Sequence, residues 1–319
     1  MLLLCQTVET YAQEKKTVRL VTVSFSWNSA LPGKVAERKG YYKEQGITVE
    51  SIFIRGGPAA IAALVSGDAD FGSIGGAQAI MRSRARGLDV VIIGSISNAV
   101  NYVIIGAKGI KSLADLKGKI IGVTGAGAFS EFAVQSYLKR NRLEPGKDVT
   151  LRAVGNTTMR AIALENGLIA AAPFSPDDAV RLMAKGYPLI VNLGEALPIP
   201  ETIIVARTEV LAKQPETTKR FLKALILGIH FAKTNKAEAI KMGYDSGLKG
   251  EPDIINKAYD LFAPALTSDL SVGTEGLQQI LDEDVRNGFV DKQMTVDKAV
   301  DTRLLKIAQQ ELRRDGRLP

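Results

Sequence analysis

Pro32-Gly33-Lys34-Val35-Ala36-Glu37-Arg38-Lys39-Gly40-Tyr41-Tyr42-Lys43-Glu44-Gln45-Gly46 opens the stretch from Leu31 to Gly76 whose reading decides the fold. Val35, Ala36, Lys39 and Tyr42 share one face at helical spacing, and Gly46 stands where a left-handed residue stops a helix. Ile47 to Ile54 then alternates as a strand. Arg55-Gly56-Gly57-Pro58 follows, and Pro58 suits a helix start because its missing N–H is not needed there. That helix is expected to end at Gly67, and Asp68-Ala69-Asp70-Phe71-Gly72-Ser73-Ile74-Gly75-Gly76 leads through a strand into a third helix. Helix, strand, helix, strand, with glycine at each handover, is the pattern of an open α/β sheet. Ligands of such sheets collect at the carboxyl ends of strands, beside helix N-termini.

Working outward, 319 residues suggest about two domains at ~150 each. With 46% hydrophobic and 24% charged residues, the chain has material for a sizeable core. No apolar run approaches the ~20 residues of a membrane span; Leu222 to Phe231 is interrupted by Lys223 and His230. The net charge of +7 is dispersed, with no basic stripe interleaved with aromatics, so nucleic acid is not expected as a partner. One cysteine, Cys5, and one histidine, His230, argue against a thiol nucleophile, a zinc site or a disulfide framework. Neither a metal nor a cofactor is expected.

Val18 to Phe25 reads as a buried strand, followed by Ser24-Phe25-Ser26-Trp27-Asn28. Trp27, the single tryptophan, has two readings: a packed aromatic, or an indole at a strand end that stacks on a ligand. Arg55 likewise is either a surface arginine or a bidentate clamp for a carboxylate, sulfonate or phosphate, with Gly56 and Gly57 allowing close backbone approach. Gly75 and Gly76 follow the third strand, with Gln78 in the first turn beyond. Leu88 to Gly94 is the fourth strand, and Ser97 and Asn98 after it are caps or ligand groups. Tyr102 to Gly106 is another strand, and at Lys108-Gly109-Ile110 a second α/β series begins. Lys119 to Thr124 is a strand, and Gly125-Ala126-Gly127-Ala128-Phe129-Ser130 opens a helix. This Gly-x-Gly lacks the rest of a dinucleotide fingerprint, so a helix N-terminus offering N–H groups to an anion is the better reading. Asn156 and Thr157 cap the next helix. Leu168 to Ala172 is a strand, with Phe174 in the turn beyond it. Glu201 to Ala206 is a return crossing, after which helices are expected over 215–233, 252–261, 274–287 and 296–314.

Two runs carry a family resemblance. Gly40-Tyr41-Tyr42-Lys43-Glu44-Gln45-Gly46-Ile47 with Gly67-Asp68-Ala69-Asp70-Phe71-Gly72, and Ile110-Lys111-Ser112-Leu113-Ala114-Asp115-Leu116-Lys117-Gly118-Lys119-Ile120-Ile121-Gly122-Val123, resemble the substrate-binding proteins of nitrate/sulfonate/taurine-type ABC importers. That group includes binding proteins for thiamine-pyrimidine precursors. The sequence departs from the family at Ala170, where an aspartate is usual.

The resemblance implies a type II periplasmic-binding-protein fold: two α/β lobes joined by a two-strand hinge. Lobe I is expected over 18–105 and 204–319, and lobe II over 106–203. It implies a small-molecule ligand, an ABC transporter permease as partner, contact with the membrane only through that complex, a monomer, and a periplasmic or extracytoplasmic location. Met1 to Ala12 fits the end of a secretory signal peptide without its basic region, so residues 1–17 are expected to be a leader, truncated in this sequence. Lipidation at Cys5 is not expected, since Leu4 is not the small residue a lipobox needs.

The expected site is the set Ser26, Trp27, Asn28, Arg55, Gly56, Gly57, Gly75, Gly76, Ser97, Asn98, Gly125, Gly127, Phe129, Asn156, Thr157 and Phe174. No residue is expected to be catalytic. The ligand expected is a small sulfonate-like or carboxylate-like anion. The alternatives are a neutral pyrimidine precursor and an enzyme on the same fold, for which the scattered Ser, Asp and Glu form no recognisable arrangement.

Overall fold

The structure is a computed structural model that describes residue 14 and residues 16–319. The leader-like segment Met1 to Ala12, with Cys5, lies outside the described residues. In chain order the strands are β1 (Thr17–Thr22), β2 (Thr48–Phe53), β3 (Phe71–Gly75), β4 (Val91–Ser95), β5 (Val103–Gly106), β6 (Ile120–Val123), β7 (Thr150–Ala153), β8 (Ala171–Phe174), β9 (Leu189–Asn192) and β10 (Thr202–Ala206). The helices are α1 (Trp27–Arg38), α2 (Tyr41–Glu44), α3 (Gly57–Ser66), α4 (Ala77–Ala85), α5 (Phe129–Arg140), α6 (Thr157–Glu165), α7 (Pro176–Ala184), α8 (Leu193–Ala196), α9 (Thr208–Lys213), α10 (Pro215–Thr234), α11 (Lys236–Asp245), α12 (Pro252–Phe262), α13 (Thr274–Arg286), α14 (Val296–Ala299) and α15 (Arg303–Arg314).

Two five-stranded sheets form, ordered β2-β1-β3-β10-β4 and β7-β6-β8-β5-β9. In each, four strands of the local α/β series run in one direction, and one strand arriving from the other lobe runs antiparallel between two of them: β10 in the first sheet and β5 in the second. The reason is directional. Parallel strands point their carboxyl ends at the cleft, so a strand that enters from the cleft runs the opposite way. Because β5 pairs with β8 and β9, Val103 to Ile105 belong to the second sheet rather than to the first lobe as expected from sequence. The chain therefore crosses between the lobes at residues 96–102 and 193–201.

Other boundaries also move. The helix expected from Pro32 starts at Trp27, and Gly40, at φ 73°, breaks it before α2. β8 lies later than Leu168 to Ala172 and takes in Phe174. The helix expected over 296–314 is split, because Val300 pairs with Ile92 and the Asp301 N–H donates to the Ile92 carbonyl at 2.9 Å, extending the edge of the first sheet. Proline opens α3, α7, α10 and α12 within their first two positions.

The first sheet is covered on one face by α1, α10 and α15 and on the other by α3, α4 and α13. Phe71 stacks on Phe221 of α10 with ring centroids 4.3 Å apart. α1 and α10 approach so closely at Gly228 that a Cβ there would stand 2.5 Å from the Pro32 carbonyl oxygen. The second core continues from the first lobe into the second through Val100, Ile104, Leu193 and Leu197 at the crossings.

Candidate ligand-binding cleft

The strand-end loops of the two sheets face one another and touch. A Cβ on Gly76, which caps α4 at φ 88°, would stand 3.3 Å from the Cβ of Phe129 at the start of α5. Gly76 donates its N–H to the Glu201 carbonyl at 2.7 Å, which ties the α4 N-terminus to the second crossing.

Arg160 is the central side chain on the lobe II side. It lies in the first turns of α6 and is only 2% exposed. Its Nη1 donates to Thr124 Oγ1 and to the Gly155 carbonyl, both at 2.7 Å, and its Nε to the Pro173 carbonyl at 3.1 Å. These three acceptors end β6, β7 and β8, so the guanidinium is held where the parallel strands converge. Among the described residues it makes no ion pair. Burial pulls its pKa below the usual arginine value, opposed by Tyr102 and Asp178.

Facing it from the first crossing is Tyr102, whose hydroxyl is pushed above the usual tyrosine range, first by burial and then by Glu201. The Tyr102 and Phe129 ring centroids are 6.2 Å apart. Glu201, 8% exposed, ends the second crossing just before β10. Burial pushes its carboxyl up to about 7, while hydrogen bonds from Asn101 act in the opposite direction. Two buried amide oxygens, Oε1 of Gln78 and Oδ1 of Asn101, have no hydrogen-bond partner among the described residues. A cation, a carboxyl that titrates near neutrality, a phenol and two unpaired acceptors thus lie buried near the junction of the lobes. Such a set recognises a small polar molecule. Among the described residues no three His, Cys, Asp or Glu are grouped to hold a metal ion.

The expected site residues divide into two groups. Ser26, Arg55, Gly56, Gly57, Gly75 and Gly76 lie at strand ends of the first sheet, and Gly125, Gly127, Phe129, Asn156 and Thr157 at those of the second. Backbone beside Gly56, Gly57, Gly75 and Gly125 is open, with nothing within 4 Å of an added Cβ. Asn28 is buried in the first turn of α1.

The rest are engaged elsewhere. Trp27 is 3% exposed, donates Nε1–H to the Lys249 carbonyl at 2.7 Å and packs edge-on against Tyr244, so its indole is core. Phe174 is fully buried in β8 beneath α7, because the strand runs through it. Ser97 bonds the Ala99 carbonyl and receives Asn101 Nδ2, and Asn98 pins the crossing to Ser271 and Gly273. The Gly127 N–H is taken by Glu131 Oε2 at 2.6 Å, which places a carboxylate where an anion was expected.

Sequence reading missed Arg160, Tyr102, Asn101 and Glu201 as site residues. For Arg160 the signal was present: with Ala163 and Leu164 it occupies the buried face of an amphipathic helix, where an arginine needs a reason to stand.

A family model described as NMT1/THI5 like matches residues 28–239. The chain belongs to the NMT1/THI5-like family. A protein of Brucella abortus (strain 2308) described as a binding protein is 24% identical over 240 residues, covering 70% of this chain and 69% of that one. The 4-amino-5-hydroxymethyl-2-methylpyrimidine phosphate synthase of Schizosaccharomyces pombe is 25% identical over 227 residues, covering 64% of this chain and 63% of the synthase. A solved structure described as the periplasmic sulfonate-binding protein SsuA of Methylobacillus flagellatus superposes with a TM-score of 0.76 at 20% identity, covering 95% of this chain and 96% of that one. This NMT1/THI5-like chain therefore has the periplasmic-binding-protein fold expected from its sequence.

Proposed function

We propose that this protein is an extracytoplasmic solute-binding protein that captures a small organic anion between its two lobes and delivers it to an ABC transporter permease. The observation that carries the reading is Arg160: a buried guanidinium at the cleft with no carboxylate paired to it among the described residues. Burying a cation is expensive, and an anionic ligand supplies the missing charge. A ligand touching both lobes binds their closed arrangement better than an open one and shifts the population by that difference. The sulfonate-binding description of the Methylobacillus flagellatus neighbour and the binding-protein description of the Brucella relative support the same reading. The protein acts as a monomer, meets the membrane only through the permease, and breaks no bond.

A second reading has its own support. The unpaired oxygens of Gln78 and Asn101 suit the donor groups of an aminopyrimidine, and the fission-yeast relative is a pyrimidine phosphate synthase. A thermal-shift screen separates the two. Alkanesulfonates, taurine, nitrate, aromatic carboxylates and aminopyrimidines are added to the protein, and each hit is recovered and checked for chemical change. A ligand at ~100 times its dissociation constant adds about 2.7 kcal/mol of stability. An anionic hit returned unaltered supports anion capture. A pyrimidine hit replaces the anion with the neutral ligand, and a consumed hit replaces binding with catalysis.

A further inference from the structure

A second pocket lies wholly within the first lobe, between α1 and the edge strand β2. Leu20, Val49, Ile204 and Leu225 supply apolar walls around a cavity of about 60 Å³, whose lining also includes Ser24 and Phe25. Every lining residue comes from the first sheet or from the helices α1, α2 and α10 and the strand-end loops around it, and none from the second lobe. Neither Arg160 nor any other residue of the second lobe lines it.

Three features show that the pocket is built for an occupant. Tyr42 lines it, is 7% exposed, and has a hydroxyl with no hydrogen-bond partner among the described residues. The ring cannot swing away, because it stacks on Phe221, which in turn stacks on Phe71. An unpaired buried hydroxyl destabilises the protein, and a hydrogen-bonding occupant removes that cost. Above the hydroxyl stands Gly33 of α1. A Cβ there would be 3.9 Å from Tyr42 Oη with nothing nearer, so the missing side chain leaves that space open. At the mouth, Phe25 stacks on Phe53 with centroids 4.7 Å apart, although the two rings are 55% and 45% exposed. Exposed stacked aromatics beside an apolar pocket make a flat wall for another ring.

Charge narrows the class further. The two charged residues lining the pocket, Lys34 and Glu37, pair with each other at 3.1 Å. They leave no net charge to attract an ion.

We propose that the groove between α1 and β2 is a second binding site, for a small uncharged aromatic molecule whose single hydroxyl or carbonyl pairs with Tyr42 Oη. The occupant enters past Phe25 and lies along Leu20 and Val49 with its polar atom under Gly33. The site is independent of the interlobe ligand.

Phenol and toluene, which differ by the one hydroxyl, are the probes, and calorimetry with ligand-observed NMR on the full chain is the measurement. Phenol should bind with a dissociation constant of about 1 mM or tighter. Toluene should bind about tenfold more weakly. Tyr42→Phe should abolish the difference between them. Gly33→Leu, which fills the groove from a position with room for it, should abolish both, while Arg160→Gln should leave both unchanged. Absence of phenol binding at about 10 mM, equal affinity of phenol and toluene for the unmodified protein, or loss of phenol binding in Arg160→Gln would each overturn the proposal; the last would place the phenol in the interlobe cleft.

Discussion

Arg55 of the first lobe and Arg160 of the second stand at comparable places, each beyond the carboxyl end of a strand and near the start of a helix. Arg55 precedes α3, is exposed, and makes no hydrogen bond or ion pair with the described residues. Arg160 is buried and held by four acceptors, the carbonyls of Pro173 and Gly155 and the hydroxyls of Thr124 and Thr157. The same chemical group therefore does different work. A hydrated guanidinium attracts anions weakly and through salt-screened water. A dehydrated one, already oriented by neutral acceptors, has lost its hydration on folding and gains a counter-charge from a ligand. Burial and preorganisation, more than the mere presence of arginine at a strand end, mark the proposed anion site.

The sharpest test of that contrast is Arg160→Gln, which keeps some hydrogen bonding and removes the charge. Affinity for an anionic ligand should fall by about 100-fold or more, as for truncating one partner of a buried charge pair. Calorimetry on the variant decides it, and a loss below about threefold would break the comparison.

Glu201 supplies the opposite sign on the other wall. Its carboxyl titrates at about 7 in the folded protein against 4.5 ordinarily. Its contribution to stability is therefore complete below pH ~4.5 and is lost as the pH rises through about 7, in total about 3 kcal/mol. Urea unfolding at pH 5 and pH 8 should show this loss in the unliganded protein and not in Glu201→Gln. A Glu201→Gln variant with the same pH slope as the unmodified protein would remove the carboxyl from the account.

Gln78 tests the neutral part of the first-lobe wall. Gln78→Leu removes a buried oxygen that has no partner among the described residues, so the unliganded protein should be no less stable, while ligand affinity falls by about threefold to tenfold. Smallest of all should be Arg55→Ala, at less than about twofold at physiological salt and nothing at high salt. A large and salt-resistant loss there would reverse the roles of the two arginines.

The α/β organisation was legible because its signals are local. Gly46 and Gly67 do adopt left-handed conformations, at φ 71° and 86°, and Pro58 does stand at the start of α3. The boundary of the lobes was less legible. Val103 to Gly106 is a short apolar strand that fits either sheet by composition, and only its pairing with Phe174 and Asn192 assigns it to the second. The aromatic residues misled for a related reason. Trp27 sits beside a strand end in the sequence, but α11 presents Gly243, where an added Cβ would stand 2.4 Å from the indole, and the ring fills that space instead of the cleft.

The sequence by itself determined the series of strand and helix units, the helix starts and stops, and the family-like runs, since each depends on residues a few positions apart. Tertiary structure decided which side chains meet. Gly76, Tyr102, Phe129, Arg160 and Glu201 come from distant parts of the chain and converge only when two sheets exchange a strand and face each other across the crossings. Burial is a property of that assembly, and burial is what separates Arg160 from Arg55.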